Sequence, residues 1–169
     1  MNKRDVEVDF LEKIQELTEI QVFCSVDEKY KKPQDIKKER CVSRTLTSTI
    51  IEKYTDTREE ENNKIYTQIN IYRNSISFTF TGDSKHIQKA YEFFSHIQGQ
   101  GWWIGRKGFK YVIEDMTGIM DISSNLPSGY IEKNVIDITV RIQDISECKI
   151  PLVKKANFKL GGIANVRNN

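Results

Sequence analysis

The chain has 169 residues, of which 38% are hydrophobic and 30% are charged, and these values are ordinary for one water-soluble globular domain. Its 26 basic and 24 acidic residues leave a formal net charge of +2, which argues against a protein that binds DNA through its phosphates. The three cysteines are odd in number, widely spaced and form no Cys-x-x-Cys pair, which argues against a disulfide framework and against a zinc site.

The first predicted element is an amphipathic helix over residues 5–18. Its apolar residues recur at helical spacing and so share one face: Phe10, Leu11, Ile14 and Leu17. Because charged residues interrupt this segment, it does not read as a signal peptide, and no later stretch is long enough to span a membrane. We therefore expect the protein to be made in the cytosol.

A long β-hairpin is predicted next. Residues 20–25 form a short strand and residues 27–40, which are charged and contain Pro33, form a loop. Residues 41–51 are rich in Ser and Thr and predict a strand. An acidic turn over residues 56–63 then leads into a strand over residues 64–72. Together the two strands predict an arm with a polar tip that projects from the body.

Alternation along the second strand of the hairpin separates two sets of side chains. Ile65, Ile69 and Ile71 face one way, and Tyr66 and Tyr72 face the other. After residues 73–74 the apolar positions change from odd to even numbers, at Ile76, Phe78 and Phe80. Since a slip of one residue exchanges the two faces, a bulge or bend is predicted near residues 73–75.

A second amphipathic helix follows the turn at Gly82. Asp83 or Ser84 can cap it, and Gly99 and Gly101 end it. Its apolar residues form one stripe that faces the core: Ile87, Ala90, Tyr91, Phe94 and Ile97.

The remaining elements are predicted to be strands. Residues 109–122 have strand character with an irregularity at Gly118, and residues 125–129 form a turn. Residues 136–143 alternate most regularly, and residues 148–160 predict a last strand. We expect one α+β domain over residues 1–160, with a mostly antiparallel sheet packed by two helices, and a flexible tail over residues 161–169.

Candidate sites for chemistry are few. The glycines between residues 99 and 108 follow a helix and have neither the dinucleotide-binding nor the P-loop spacing. The two histidines, His86 and His96, lie nearly three turns apart on one helix, too far to bind a metal together. His86 is expected to be solvated.

Aromatic residues are the best candidates for a functional surface. Trp102 and Trp103 are adjacent, so they cannot both enter one core from regular structure, and Arg106 is nearby. Trp, Tyr and Arg dominate the energetics of protein interfaces. We therefore predict partner contacts at Trp102, Trp103 and Arg106, and at Tyr66 and Tyr72 on the hairpin. The alternatives are that one Trp packs over the sheet edge and that the tyrosines pack on the body.

Four features occur in a fixed order along residues 41–143. These are a Ser- and Thr-rich strand, the segment 76–82 (ISFTFTG) leading into a helix built on Ala90, Ile113-x-Asp115, and the segment 130–140 (YIEKNVIDITV). In this order they resemble the phage neck and tail terminator family, in which an aromatic-x-Gly strand end precedes a helix. In the same family, a later Tyr-x-x-basic segment begins a strand in which aliphatic residues alternate with other residues. Lys133 stands at the basic position, where members of the family tend to carry Arg.

The resemblance implies a structural protein that is not an enzyme and needs no cofactor, metal or catalytic residue. Such proteins form six-membered rings that cap the tail tube of contractile-tailed phages or phage-tail-like particles. The ring stops tube growth and forms the interface to the neck. The implied partners are further copies of the chain, the tail tube protein, and sheath and head–tail connector proteins. DNA is implied only as cargo in the lumen, no membrane is involved, and the implied location is the virion or the tail-like particle.

Three other functions fit parts of the sequence. The first is another phage neck protein, such as a head-completion protein or a connector. The second is a small hydrolase or nucleotide-binding protein that uses the loop over residues 99–108. The third is a protein that binds single-stranded nucleic acid by stacking bases on Trp102 and Trp103.

Overall fold

A computed structural model describes residues 4–25, 39–60, 63–101, 103–104, 110–127 and 129–151. Within these residues there are two helices, α1 (Arg4–Thr18) and α2 (Ser84–Gln98). The strands are β1 (Gln21–Cys24), β2 (Arg40–Glu60), β3 (Asn63–Thr81), β4 (Trp103–Ile104), β5 (Lys110–Met116), β6 (Met120–Asp121), β7 (Ser124–Leu126), β8 (Gly129–Ile131) and β9 (Lys133–Pro151).

Seven of these strands form one sheet. Its order is β1-β2-β3-β9-β5-β4, and β6 pairs with β9 beyond the end of β5. β1 and β2 are parallel, whereas all other pairs are antiparallel. β7 and β8 form a separate small hairpin across the turn predicted at residues 125–129. The predicted α+β fold with a mostly antiparallel sheet and two helices is confirmed.

Both helices pack on one face of the sheet. Asp83 caps α2, as predicted, because its carboxylate accepts a hydrogen bond of 2.9 Å from the backbone N–H of Lys85. The buried side of α2 follows the predicted stripe: His86, Ile87, Ala90, Phe94 and Ile97. Most of the predicted apolar face of α1 is also buried.

An aromatic cluster fills the space between the helices and the sheet. The ring of Phe10 on α1 lies 5.5 Å from that of Phe94 on α2 and 6.2 Å from that of Phe78 on β3. It also contacts Tyr111 on β5, with ring centroids 5.0 Å apart. Because one side chain joins both helices to two strands, Phe10 fixes how the two layers pack.

The hairpin arm is longer than predicted. The acidic turn predicted over residues 56–63 is wrong, since β2 continues to Glu60 and β3 begins at Asn63. β3 has β2 on one side and β9 on the other along its whole length. The polar residues of the tip therefore pair with β3, which β9 holds from its other side, and their composition does not end the strands.

The bulge predicted near residues 73–75 is also wrong, because β3 pairs with β9 in unbroken register. Two bulges lie instead in β2, at Leu46 and Ile51. The apolar residues of β3 change from odd to even positions because different faces of the strand are buried in the arm and in the body. Ile76 points to the helices, whereas Ile71, where the arm begins, and Ile65, within the arm, are buried on the opposite face.

The strand predicted over residues 148–160 is confirmed as strand over residues 148–151, but it is not a separate last strand. Residues 148–151 continue β9 without a break, and the rest of that prediction lies outside the described residues. The irregularity predicted at Gly118 is confirmed, since the chain leaves the sheet between Met116 and Met120. The predicted tail over residues 161–169 lies outside the described residues.

Candidate interaction surfaces

The two faces of the sheet differ in chemistry. The face that carries the helices, here called the helix face, is apolar in the body and includes Ile136, Ile138 and Val140 of β9. The opposite face, here called the open face, alternates with it and is rich in hydroxyl groups there: Thr47, Thr49, Ser75, Ser77, Thr79 and Thr139. An antiparallel sheet with one packed face and one polar face is stable in water without a second layer.

The arm consists of the outer parts of β2, β3 and β9. In the part of the chain that the structure describes, β5 pairs with β9 as far as Gln143, and β1 pairs with β2 as far as Ser43. Within the described residues, β2 beyond Ser43 and β9 beyond Gln143 are therefore open edges of the sheet. The eight residues from Asp144 to Pro151 extend the arm about 26 Å beyond the body.

A row of apolar side chains crosses the arm on the open face. Tyr54 of β2, Ile69 of β3 and Ile145 of β9 are direct partners in the sheet, so they lie side by side. Tyr54 and Ile145 are 45% and 49% exposed. This is here called the arm row.

A second apolar group lies at the opposite end of β9. Ile119, Met120, Ile122 and Tyr130 are all exposed, and they lie beside the first residues of β9 because β6 pairs with Val135. This group is here called the base patch. Ten residues of β9 separate it from the arm row, which is about 33 Å. The protein therefore carries two separate exposed apolar groups at opposite ends of one strand.

Only part of the predicted contact set lies in the described residues. Tyr66 and Tyr72 share the helix face of β3, as the alternation predicted. Tyr72 packs against the body core, whereas Tyr66 lies in the arm with the ammonium of Lys64 5.4 Å from its ring. Trp103 pairs with Tyr111 through the backbone. Trp102, Arg106 and the side chain of Trp103 lie outside what the structure describes.

A buried carboxyl group is the main feature that the sequence pattern missed. Glu7 of α1 is fully buried and accepts hydrogen bonds from the hydroxyls of Ser43 and Thr45, at 2.5 and 2.6 Å. The thiol of Cys24 is 3.2 Å from the same carboxyl group. Because its donors come from β1 and β2, Glu7 ties α1 to the sheet and has the surroundings of a structural group.

A second charged cluster lies on the open face. Glu114, the bulged residue of β5, forms ion pairs with Arg73 of β3 and Arg141 of β9. The hydrogen bond from Arg73, followed by the contacts with Arg141, holds the pKa of Glu114 below its usual value. The cluster joins three neighbouring strands.

His86 is buried, so the prediction that it is solvated is wrong. Its Nε2 lies 3.2 Å from a carboxylate oxygen of Glu39, which immediately precedes β2. A depression of about 650 Å³ opens beside this pair and is also lined by Lys85 and Lys89. The side chains there carry both signs of charge, and none of them is a hydroxyl or thiol nucleophile held by a base.

Two other buried groups, the hydroxyl of Tyr111 and the thiol of Cys41, are held in their neutral forms. Burial, together with the neighbouring carboxylate of Asp9, raises the pKa of Tyr111 well above its usual value. Burial likewise raises the pKa of the Cys41 thiol. Among the described residues, no three His, Cys, Asp or Glu side chains are grouped so as to hold a metal ion. Neither described helix combines the length and the apolar character needed to cross a membrane.

No family model and no curated protein sequence matches the chain.

Proposed function

We propose that the protein is a structural tail terminator, which caps the tail tube of a phage or phage-tail-like particle as a hexameric ring. The observation that carries this proposal is the projecting three-stranded arm. It presents open strand edges and exposed apolar side chains at one end of the molecule, and the base patch lies at the other end. The arrangement of motifs along residues 41–143 supports the same assignment.

A ring requires two different complementary surfaces on each subunit. The base patch is one such surface. The second is the edge of β2, where Leu46 and Ile50 are about half exposed. In the proposed ring, the base patch of one subunit packs against Leu46 and Ile50 of the next, so that each subunit uses one surface on each side.

The proposed mechanism is geometric and not catalytic. The ring binds the last layer of tube subunits and covers the surface on which the next layer would add. In the body, the hydroxyl-rich part of the open face is well suited to remain in contact with water or DNA in a lumen, since a polar face of an antiparallel sheet needs no second layer. Glu7 and Glu114, the most enclosed carboxyl groups described above, hold helices and strands together.

The experiment that tests the proposal is assembly of the cognate tube protein with and without this protein. We expect a small amount of the protein to shorten the tubes, and electron microscopy to find six-membered rings only at tube ends. Rings distributed along the tubes, or an unchanged distribution of tube lengths, would contradict the proposal.

Two variants test the surfaces assigned to the ring. Met120→Asp and Ile50→Asp place a charge in the base patch and on the β2 edge, and we expect each to abolish the rings. Gln15→Asp, at an exposed position on α1, is the matched control and should form rings normally. If both test variants still form rings, the contacts lie elsewhere.

A further inference from the structure

The two open edges of the arm are built differently. β2 carries bulges at Leu46 and Ile51 along its open edge, and bulges are a common way to prevent a strand from pairing with another chain. β9 has no bulge against β3. Among the residues that the structure describes, no strand pairs with β9 beyond Gln143 on the side away from β3. This segment is thus a straight edge to which another strand can add.

The hydrogen bonds at the start of β9 show which of its backbone groups point away from β3 and can pair with a new strand. The carbonyl of Asp137 accepts a hydrogen bond of 2.9 Å from the N–H of Thr117, on the side away from β3. Because backbone direction alternates along a strand, the odd-numbered residues of β9 point outward. Ile145, Glu147 and Lys149 therefore present their N–H and C=O groups to a new strand, and Pro151 presents only its C=O.

The side chains of the same segment are self-complementary. Glu147 and Lys149 carry opposite charges and are neighbours on the open face. Across the three strands of the arm, each is aligned with a β2 residue of the same charge. Glu147 shares its row with Asp56, whereas Lys149 shares its row with Arg58, whose guanidinium also reaches the carboxylate of Glu147 at 3.4 Å. Ile145 and Ile150, both about half exposed, lie toward the two ends of the edge.

We propose that the β9 edge pairs with the same edge of a second copy of this chain, as antiparallel strands related by a two-fold axis at Cys148. In this register Glu147 lies opposite Lys149 of the second copy, and Lys149 lies opposite its Glu147. The arms join into one six-stranded sheet in which acidic rows abut basic rows. Ile145 lies opposite Pro151 of the second copy, which ends the pairing because proline has no N–H.

The alternative registers are unfavourable. A shift of two residues in one direction places Glu147 opposite Glu147 of the second copy, and a shift in the other places Lys149 opposite its Lys149. Like charges directly opposite each other destabilise a strand pair. A shift of one residue would set outward-pointing backbone groups against groups that already face β3. The arrangement of charges therefore selects one register.

The proposed register also places two thiols together. Cys148 is exposed and its backbone groups point to β3, so the two copies of Cys148 form a pair without mutual backbone hydrogen bonds. The Cα atoms of such a pair are about 4.5 Å apart, which lies within the range of about 4.4–6.8 Å that a disulfide requires. Formation of a disulfide between the two copies of Cys148 can therefore be used to detect the contact.

This contact goes beyond the proposed ring and does not depend on it. A two-fold contact closes on itself, whereas the ring uses the base patch and the β2 edge. Strand pairing over seven residues is a small interface, so we expect a weak and reversible association.

Cross-linking tests the register with the full-length protein. Under a mild added oxidant, which takes up the two electrons released by two thiols, we expect the native protein to form a disulfide-linked dimer through Cys148. Cys148→Ser should abolish it. In that background, Ser146→Cys and Ile150→Cys should cross-link efficiently when mixed but poorly alone, because residue 146 lies opposite residue 150 of the second copy. Residue 146 of one copy lies about 13 Å along the strand from residue 146 of the second copy, which is too far for a disulfide. Equal cross-linking of either variant with itself would overturn the register.

Charge exchange tests the interface itself. Glu147→Lys and Lys149→Glu should each reduce the rate of Cys148 cross-linking at least several-fold, and the double exchange should restore it. Glu52→Lys, which makes the same charge change on the β2 side of the arm, is the matched control and should cross-link as the native protein does. Random collision of exposed thiols would instead respond alike to all variants of equal net charge. That result, or a double exchange that fails to restore cross-linking, would overturn the proposal.

Discussion

Removal of the buried carboxyl group of Glu7 should be among the most damaging changes to the fold. The group is fully buried, and two hydroxyls and one thiol lie within hydrogen-bonding distance, from residues 17 to 38 positions away in sequence. Glu7→Ala leaves a cavity and removes the acceptor for the buried hydroxyl of Ser43. Each buried hydroxyl that loses its acceptor costs about 1–3 kcal/mol and the cavity adds to this, so we expect the Ala variant to lose about 3–5 kcal/mol.

Glu7→Gln keeps the shape of the side chain and replaces one carboxyl oxygen with an NH₂ group. The amide keeps an oxygen that can accept from Ser43 and Cys24, while its NH₂ faces the hydroxyl of Thr45, which can turn and accept. We therefore expect a cost of about 1 kcal/mol for the Gln variant, the net value of one hydrogen bond.

Urea denaturation followed by circular dichroism measures both effects. With an m-value of about 2 kcal/mol/M, the Ala variant should lower the midpoint by roughly 1.5–2.5 M and the Gln variant by about 0.5 M. Glu16→Ala, an exposed acid on the same helix, should change the free energy of unfolding by less than about 0.5 kcal/mol.

Two outcomes would refute this reasoning. If Glu7→Ala costs less than about 1 kcal/mol, the network does not tie α1 to the sheet. If the Gln and Ala variants are equally unstable, an amide of the same shape cannot replace the carboxyl group, and the argument from shape and connectivity is wrong. A double-mutant cycle with Ser43→Ala should show a coupling of about 1 kcal/mol or more, since the two side chains are in contact.

Three further predictions follow from the described contacts. Phe94→Ala removes a fully buried ring between Phe10 and Phe78. It should lower the free energy of unfolding, measured by urea denaturation, by about 3–5 kcal/mol. A loss below about 1 kcal/mol would contradict the described packing. Tyr72→Ala should lower the urea midpoint, whereas Tyr66→Ala should leave it nearly unchanged, because only Tyr72 packs on the core; equal effects would contradict the assignment. The hydrogen bond from Lys85 lowers the pKa of Asp83 below 3.8, so its cap stabilises the fold above that pH and weakens as pH falls through the lowered pKa. The difference in urea midpoint between native protein and Asp83→Ala should therefore shrink in acid, and a difference that grows in acid would refute the capping role.

Local patterns in the sequence were sufficient for the helices and for the positions of most strands. The stripe along α2, its cap at Asp83, the break near Gly118 and the hairpin across residues 125–129 depend on neighbours a few residues apart. Helical and strand periodicities report such neighbours directly. The same alternation placed Tyr66 and Tyr72 on one face of β3.

The lengths of β2, β3 and β9 were decided by the tertiary structure. The composition of the polar, acidic residues at the tip of the arm predicts a turn, yet they form a strand because they pair with β3, which β9 holds from its other side. For the same reason the open edges, the arm row and the base patch could not be located from sequence. Each is defined by where a neighbouring strand stops, and that neighbour lies far away in the chain.

The sequence by itself therefore determined which segments are helical or extended and which side chains share a face. The tertiary structure decided which of those faces is covered. Glu7 and His86 show the difference, since both have the composition of surface residues and both are buried against partners more than 15 residues away. Periodicity assigns a side chain to a face, but only the packing of distant elements determines whether that face meets protein or water.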